Sequence, residues 1–156
     1  MESITGLKGK SNAEIAEKLN QLLANYEVYY QNLRGFHWNI KGNDFFVLHE
    51  KFEELYNEAQ LAIDEVAERI LTLGEQPLHT YSDFVETSTI KEYKNLSDSK
   101  STVEALLESL RILIALEREI LSLAGDADDE GTLALMSEYL SAQEKTVWMF
   151  ASFLNK

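Results

Sequence analysis

Two long runs of apolar residues at helical spacing occupy the first half of the chain. In each run an apolar residue recurs every three or four positions for about seven turns, the pattern of a helix that buries one face. The runs are Ile15, Leu19, Leu22, Tyr26, Tyr29, Leu33, Phe36 and Ile40, then Leu48, Phe52, Leu55, Ala59, Ala62, Val66, Ile70 and Leu73. Lys41-Gly42 separates them as a helix stop. We therefore expect helices over about residues 11–40 and 45–73.

The second half of the chain predicts two more helices, over about residues 101–124 and 130–154. Their apolar positions are Val103, Leu106, Leu107, Leu110, Ile114 and Leu121, then Leu133, Met136, Leu140, Val147, Phe150 and Leu154. Capping boxes at Ser11–Glu14 and Ser101–Glu104 and the Asn43-Asp44 pair are the expected helix starts. Residues 75–100 are polar and lack a sustained period. Because so long a structureless loop is uncommon, we expect a short helical turn near Tyr81–Thr87.

Two helices, a long crossover and two further helices define an all-α chain. With one long connection, a four-helix bundle has the ferritin-like arrangement rather than a simple up-down-up-down topology. A length of 156 residues fits one domain spanning residues 1–156.

Composition narrows the function further. The chain carries 27 acidic against 14 basic residues, a net charge of −13, and has no cysteine. Disulfides and thiolate metal sites are therefore excluded. The first ten residues hold no apolar signal region and no stretch approaches the roughly 20 apolar residues of a membrane span, so we expect a cytoplasmic protein. Acidity disfavours nucleic acid and anionic membranes as partners and favours cations.

Four potential metal ligands lie on the second helix, away from its apolar face. At about 100° per residue from Leu48, His49, Glu53, Asp64 and Glu68 fall at about 100°, 140°, 160° and 200°. Carboxylate and imidazole ligands suit iron. Inward-facing di-iron centres in bundles use Glu-x-x-His motifs, and the sequence has none. An internal di-iron centre is therefore not predicted.

The spacing of these ligands predicts a site shared between two subunits. His49 and Asp64 are about 22 Å apart along one helix, too far to hold one ion. The four positions are centred between Glu58 and Ala59, so two antiparallel copies of the helix would face His49 and Glu53 with the opposite acids. His37 precedes the intervening turn by about as much as His49 follows it. We expect a half-site of His37, His49 and Glu53, completed by Asp64 and Glu68 of the partner subunit.

These residues carry a family resemblance that extends over nearly the whole chain. The matching strings are His37-Trp-Asn-Ile-Lys-Gly42, Leu48-His49, Asp64-Glu-Val-Ala-Glu68-Arg69 and Trp148-Met149-Phe150. They resemble the Dps family, or mini-ferritins.

This resemblance implies a hollow cage of twelve subunits that oxidises Fe(II), usually with hydrogen peroxide, and stores ferric mineral. It implies that His37, His49, Asp64 and Glu68 are iron ligands at an interfacial ferroxidase centre and that Trp38 lies beside that centre. At Glu53 the family more often has Asp.

Simpler interpretations compete at each position. His37 alone fits a histidine at the core boundary, and Trp38 alone fits a core residue. Asp64 and Glu68 fit a solvated face on which Glu65 pairs with Arg69 at i,i+4. The acids Asp126, Asp128, Asp129 and Glu130 fit a helix cap, or, by resemblance, an iron-entry pore at a three-fold axis. His79 is assigned no role.

The favoured function is a ferroxidase and iron store that takes two iron ions per centre and uses hydrogen peroxide or O₂. A cage that protects DNA by coating it is the alternative. Family members that bind DNA usually use lysine-rich extensions, whereas the terminal lysines here are Lys8, Lys10 and Lys156. A helical scaffold without metal is the third interpretation.

Overall fold

A computed structural model describes residues 4–7 and 9–156, and five helices account for most of this length. They are α1 (Gly9–Asn39), α2 (Phe45–Thr72), α3 (Tyr81–Thr87), α4 (Ser99–Asp126) and α5 (Glu130–Phe153). No strand occurs in these ranges, so the all-α prediction is confirmed. The four long helices begin and end within two residues of the expected positions. Lys8, one of the three terminal lysines, and residues 1–3 lie outside the described residues.

The α1–α2 pair buries the two apolar runs against each other. Every residue of both predicted runs is buried, with relative exposures of 8% or less. Helix α1 also packs against α4 and α3, and α4 packs against α5. Because α2 buries only this one stripe, its opposite side remains free for polar residues.

Helix α4 buries half of its predicted stripe, namely Val103, Leu106 and Leu110. Leu107, Ile114 and Leu121 are only partly buried. The core positions instead include Leu113, Leu116 and Ile120. Apolar residues cover more than one face of this helix, so spacing alone could not select the buried face. The true stripe passes through Glu117, a charged residue that the prediction avoided.

Two predicted helix caps are wrong. Helix α1 begins at Gly9, so Ser11 lies inside its first turn. Helix α4 is capped by Asp98, whose carboxylate accepts from the Ser101 amide at 2.8 Å. Asp44 caps α2 only by position, because its Oδ2 accepts instead from Ser99 Oγ at 2.7 Å. That hydrogen bond ties the α1–α2 turn to the start of α4.

The crossover is fixed to α1 by two buried asparagines. Asn25 Oδ1 accepts from the amides of Thr89 and Ile90 at 3.0 and 2.9 Å. Asn32 donates to the Lys91 carbonyl at 2.9 Å and accepts from the Tyr93 amide at 3.0 Å. The expected short helix is present as α3. Over the described ranges, no helix has the length and apolar character needed to cross a membrane.

Candidate metal centre

His37 near the end of α1 and His49 in the first turns of α2 form a stacked pair. Their ring centroids are 3.8 Å apart and the planes differ by 13°. His37 Nδ1 is 2.6 Å from the His49 carbonyl oxygen, and His49 Nδ1 is 2.8 Å from the His37 carbonyl oxygen. The turn between the two helices brings these residues level, as the spacing predicted.

The two hydrogen bonds determine which nitrogen of each imidazole is available to a metal. A carbonyl oxygen can only accept, so each Nδ1 must carry the proton and donate it. In a neutral imidazole the other nitrogen, Nε2, then holds the free lone pair. Backbone carbonyls orient metal-binding histidines in the same way in many proteins. Both rings are therefore held in the tautomer that binds a metal through Nε2.

Aromatic rings enclose this pair. Phe45 stacks on His49 at 4.9 Å, and the Tyr56 ring meets His37 edge-on at 5.4 Å. His37 is 9% exposed, so it occupies the boundary position that the simpler interpretation gave it while still pairing with His49. Glu53 is exposed one turn after His49. Desolvation, and then the charge of Glu53, raises the pKa of Tyr56.

Asp64 and Glu68 lie on α2 with exposed side chains, apart from the histidine pair. In the described part of the chain, no three side chains of His, Asp or Glu converge into a group that could hold a metal within one subunit. The structure thus unites His37 with His49 and leaves both acids at a distance. Each half of the predicted set is incomplete by itself.

Trp38 is a surface residue in the isolated subunit, 57% exposed, so the interpretation as a core residue is wrong. The guanidinium of Arg34 lies 4.8 Å from the Trp38 ring and 5.5 Å from the Tyr30 ring. Cation–π contacts of this kind favour one orientation of an otherwise exposed ring. The indole is therefore held against Arg34 of its own helix.

The acidic run before α5 divides into one buried and three exposed residues. Asp126, Asp128 and Glu130 are exposed. Asp129 is 1% exposed and caps α5 by accepting from the Thr132 amide at 3.1 Å.

A cation from α2 neutralises this buried aspartate. Arg69 donates to Asp129 at 2.6 Å and to Thr132 Oγ1 at 2.8 Å. The expected pairing of Arg69 with Glu65 is therefore replaced by an ion pair across 60 residues. Asp129 therefore has a structural role, and only the three exposed acids remain candidates for the predicted pore.

A polar cluster inside the bundle was missed by the sequence analysis. Glu117 is fully buried, and its Oε1 accepts from Tyr26 Oη at 2.7 Å and from Gln143 Nε2 at 2.9 Å. Burial raises the pKa of Glu117 to about 7, although the two hydrogen bonds oppose that rise. Its Oε2 has no hydrogen-bond partner. The sequence did contain one sign of this cluster: Glu117 is a charged residue at helical spacing between the apolar residues Leu113 and Ile120.

Comparisons with known proteins agree with this fold. The family model described as a ferritin-like domain matches residues 16–156. An uncharacterised protein of Haemophilus influenzae is 51% identical over 145 residues, which cover 93% of this chain and 91% of the relative. The DNA protection during starvation protein of Porphyromonas gingivalis is 46% identical over 153 residues, with coverages of 98% and 96%.

Among solved structures, the Dps protein of Vibrio cholerae superposes with a TM-score of 0.96. It is 48% identical, and the match covers 99% of this chain and 98% of that one. It is described as a member of a broad superfamily of ferritin-like diiron-carboxylate proteins.

Proposed function

The chain belongs to the Dps family of the ferritin-like superfamily, and on that premise we propose that it is a ferroxidase and iron-storage protein. Twelve subunits would form a hollow cage in the cytoplasm. Fe(II) would be oxidised by hydrogen peroxide, or alternatively by O₂, at centres shared across two-fold interfaces. The ferric product would be stored inside, so that Fe(II) and peroxide are removed together.

One observation carries this proposal: the reciprocal hydrogen bonds that fix the tautomers of His37 and His49. The two Nδ1–carbonyl bonds leave both Nε2 lone pairs for an external ligand and hold the two rings side by side. Glu53, one turn further along α2, adds a carboxylate to the same end of the helix. Together they form a half-site of nitrogen and oxygen donors, a set suited to iron.

The other half-site would come from Asp64 and Glu68 of the partner subunit. Their exposed side chains lie off the buried stripe of α2, so an antiparallel partner helix can reach them. Oxidation of two Fe(II) by one H₂O₂ gives two Fe(III) and two hydroxide ions. The protein's task is to hold the two ions close together and admit the oxidant.

Two double variants, each tested alone and then co-assembled, show whether the metal site is shared between subunits. His37→Ala/His49→Ala and Asp64→Ala/Glu68→Ala should each assemble but oxidise Fe(II) far more slowly than the wild type. In cages co-assembled from both, a mixed interface carries one intact centre. Random pairing makes about half of the interfaces mixed, and each mixed interface regains one of its two centres. About a quarter of all centres should therefore be restored.

The controls are cages reassembled from each variant alone, with subunit mixing verified by native mass spectrometry. Mixed cages that remain inactive would place the ligands within one chain and contradict the shared centre. Stopped-flow absorbance after anaerobic Fe(II) loading and peroxide addition measures the rates.

A DNA-coating cage is the second candidate, because relatives bear the name DNA protection during starvation protein. The net charge of −13 per subunit opposes binding to phosphate, and protection by removal of Fe(II) and peroxide requires no contact with DNA. A mobility-shift assay at moderate salt without divalent ions distinguishes the DNA-coating cage from a ferroxidase that does not bind DNA. Retention of plasmid at low micromolar protein would favour the coating function.

A further inference from the structure

The buried Tyr26–Glu117 pair has no part in the metal centre. We propose that Tyr26 is a redox-active tyrosine that donates one electron to strong one-electron oxidants, while its phenolic proton passes to Glu117. The inference rests on the proposed function only for the source of the oxidant, which is the hydroxyl radical formed in a side reaction when a single Fe(II), without a second iron beside it, reduces peroxide by one electron.

The geometry suits a coupled transfer of proton and electron. Tyr26 is 2% exposed and donates to Glu117 Oε1 at 2.7 Å, a distance over which a proton can pass directly. Gln143 Nε2 donates to Tyr26 Oη at 2.6 Å as well as to Glu117 Oε1. The phenoxyl oxygen therefore keeps a donor after the proton has left, and water is not needed on either side of the step.

Glu117 is a suitable acceptor for that proton. In the described part of the chain, neither of its oxygens is paired with a cation, so no positive charge competes with the incoming proton. Burial penalises the carboxylate anion and raises its pKa to about 7, so protonation relieves a desolvation cost. An exposed carboxylate with an ordinary pKa would be a weaker base.

Aromatic side chains lie between the half-site and this pair. The Tyr56 ring lies 5.4 Å from His37 and 6.0 Å from Tyr30. Tyr30 and Tyr26 are four residues apart on α1, where side chains are neighbours with about 5–6 Å between Cβ atoms. The Tyr26 ring also meets Tyr139 at 5.8 Å. Ring contacts thus lead from His37 to Tyr30, and one helical turn of α1 separates Tyr30 from Tyr26.

The step balances in atoms and electrons. Fe(II) and H₂O₂ give Fe(III), hydroxide and a hydroxyl radical. Tyr26 loses one electron, which reduces that radical to hydroxide, and its O–H proton moves to the Glu117 carboxylate. The products are a neutral phenoxyl on Tyr26, a neutral carboxylic acid on Glu117 and hydroxide. A diffusing oxidant is thereby exchanged for a buried radical that cannot leave the protein.

Freeze-quench EPR of the assembled, Fe(II)-loaded protein after peroxide addition tests this. The wild type should show a tyrosyl signal that narrows when the tyrosine rings are deuterated. Tyr26→Phe should remove most of that signal, and Glu117→Gln, which keeps an acceptor oxygen but cannot take the proton as a carboxylate can, should reduce it. Tyr29→Phe is the matched control, because Tyr29 is an equally buried neighbour whose ring lies 6.3 Å from Tyr26.

Absorbance on the same samples reports Fe(II) oxidation and separates the two proposals. If iron is oxidised and the signal is absent, survives Tyr26→Phe, or falls equally in Tyr29→Phe, the role of Tyr26 is overturned while the ferroxidase stands. If iron is not oxidised, photogenerated tris(bipyridine)ruthenium(III) supplies the oxidant to iron-free protein. A signal dependent on Tyr26 then supports the inference, and a signal independent of Tyr26 overturns it.

High-field EPR of the wild type keeps the inference testable even if a variant misfolds. The g-values should report a hydrogen-bonded phenoxyl whose bonding proton exchanges slowly in D₂O, because Tyr26 and Glu117 are buried. A phenoxyl without a hydrogen bond, or one that exchanges at once with solvent, would place the radical elsewhere.

Discussion

Asp129 and Glu117 are both buried carboxylates, but the fold accommodates them in different ways. Asp129 receives a guanidinium from Arg69 and caps the start of α5. Glu117 lies in mid-helix among neutral donors, Tyr26 and Gln143, and receives no cation. The pKa of Glu117 rises to about 7. The comparison shows that a buried acid with a cation serves as a structural anion, whereas one held by neutral groups can take up and release a proton near neutrality.

The largest expected effect is on stability, when Asp129 loses its cation. Arg69→Met should destabilise the protein by about 3–5 kcal/mol, since it leaves a buried carboxylate unpaired. The control is Arg111→Met, which breaks the exposed i,i+3 pair with Glu108 and should cost about 0–1 kcal/mol. Urea unfolding at one fixed protein concentration measures both, because assembly contributes to apparent stability.

Removing the Asp129 charge together with the Arg69 cation tests the cause of this destabilisation. Asp129→Asn keeps a residue that can cap α5, so adding it to Arg69→Met should recover part of the loss. If Arg69→Met is as stable as Arg111→Met, Asp129 does not depend on its cation and the contrast with Glu117 fails.

Glu117 should make stability depend on pH over a defined window. Its folded pKa of about 7 lies above the unfolded value near 4.5, so the native state binds the extra proton. The contribution of Glu117 to the free energy of unfolding is therefore complete below about pH 4.5. It is lost as pH rises through about 7, which lowers the free energy of unfolding by on the order of 3 kcal/mol.

Glu117→Gln removes this titration and isolates it from other groups. Partial burial also raises the pKa of Glu27 and Glu58, so the wild type alone would show a mixed slope. The variant should gain stability relative to the wild type between pH 5 and 8, by urea unfolding at matched concentrations. Parallel pH curves for the two proteins would show that Glu117 titrates as an ordinary carboxylate.

The contrast also shows what the sequence could predict. The stripes of α1 and α2 follow from one unambiguous apolar face each, and the outward direction of Asp64 and Glu68 follows from the same geometry. Helix α4 has apolar residues on more than one face, so pattern alone could not place Glu117 in the core.

The partners of buried polar groups were beyond sequence reasoning. Arg69 has a local acid at i−4, and only the packing of α2 against the start of α5 reveals that it binds Asp129 instead. The sequence could predict that His37 and His49 lie at the same level on two antiparallel helices. Their reciprocal hydrogen bonds to backbone carbonyls depend on how the turn closes.

The smallest expected effect tests how closely Arg69 must fit beside Asp129. A Cβ placed on Gly131 would lie 2.8–2.9 Å from the Arg69 guanidinium atoms, so Gly131→Ala must displace that side chain. Crowding of this kind typically costs about 1–3 kcal/mol. Because Gly131 lies within α5, the helix preference of alanine offsets about 0.5–1 kcal/mol of that cost. The loss should be smaller than that of Arg69→Met, because the charge remains present and partly paired.

Gly125→Ala is the matched control at the other end of the same connection. Its Cβ would meet Leu133 Cδ1 at 3.6 Å, an ordinary contact, and Gly125 lies within α4. Alanine in a helix is favoured over glycine by about 0.5–1 kcal/mol, so this variant should match or exceed the wild type in thermal unfolding. If both alanine variants behave alike, Arg69 can move without loss. The buried aspartate would then require only a nearby positive charge, and the exact position of Arg69 between Asp129 and Thr132 would not be needed to keep it in the core.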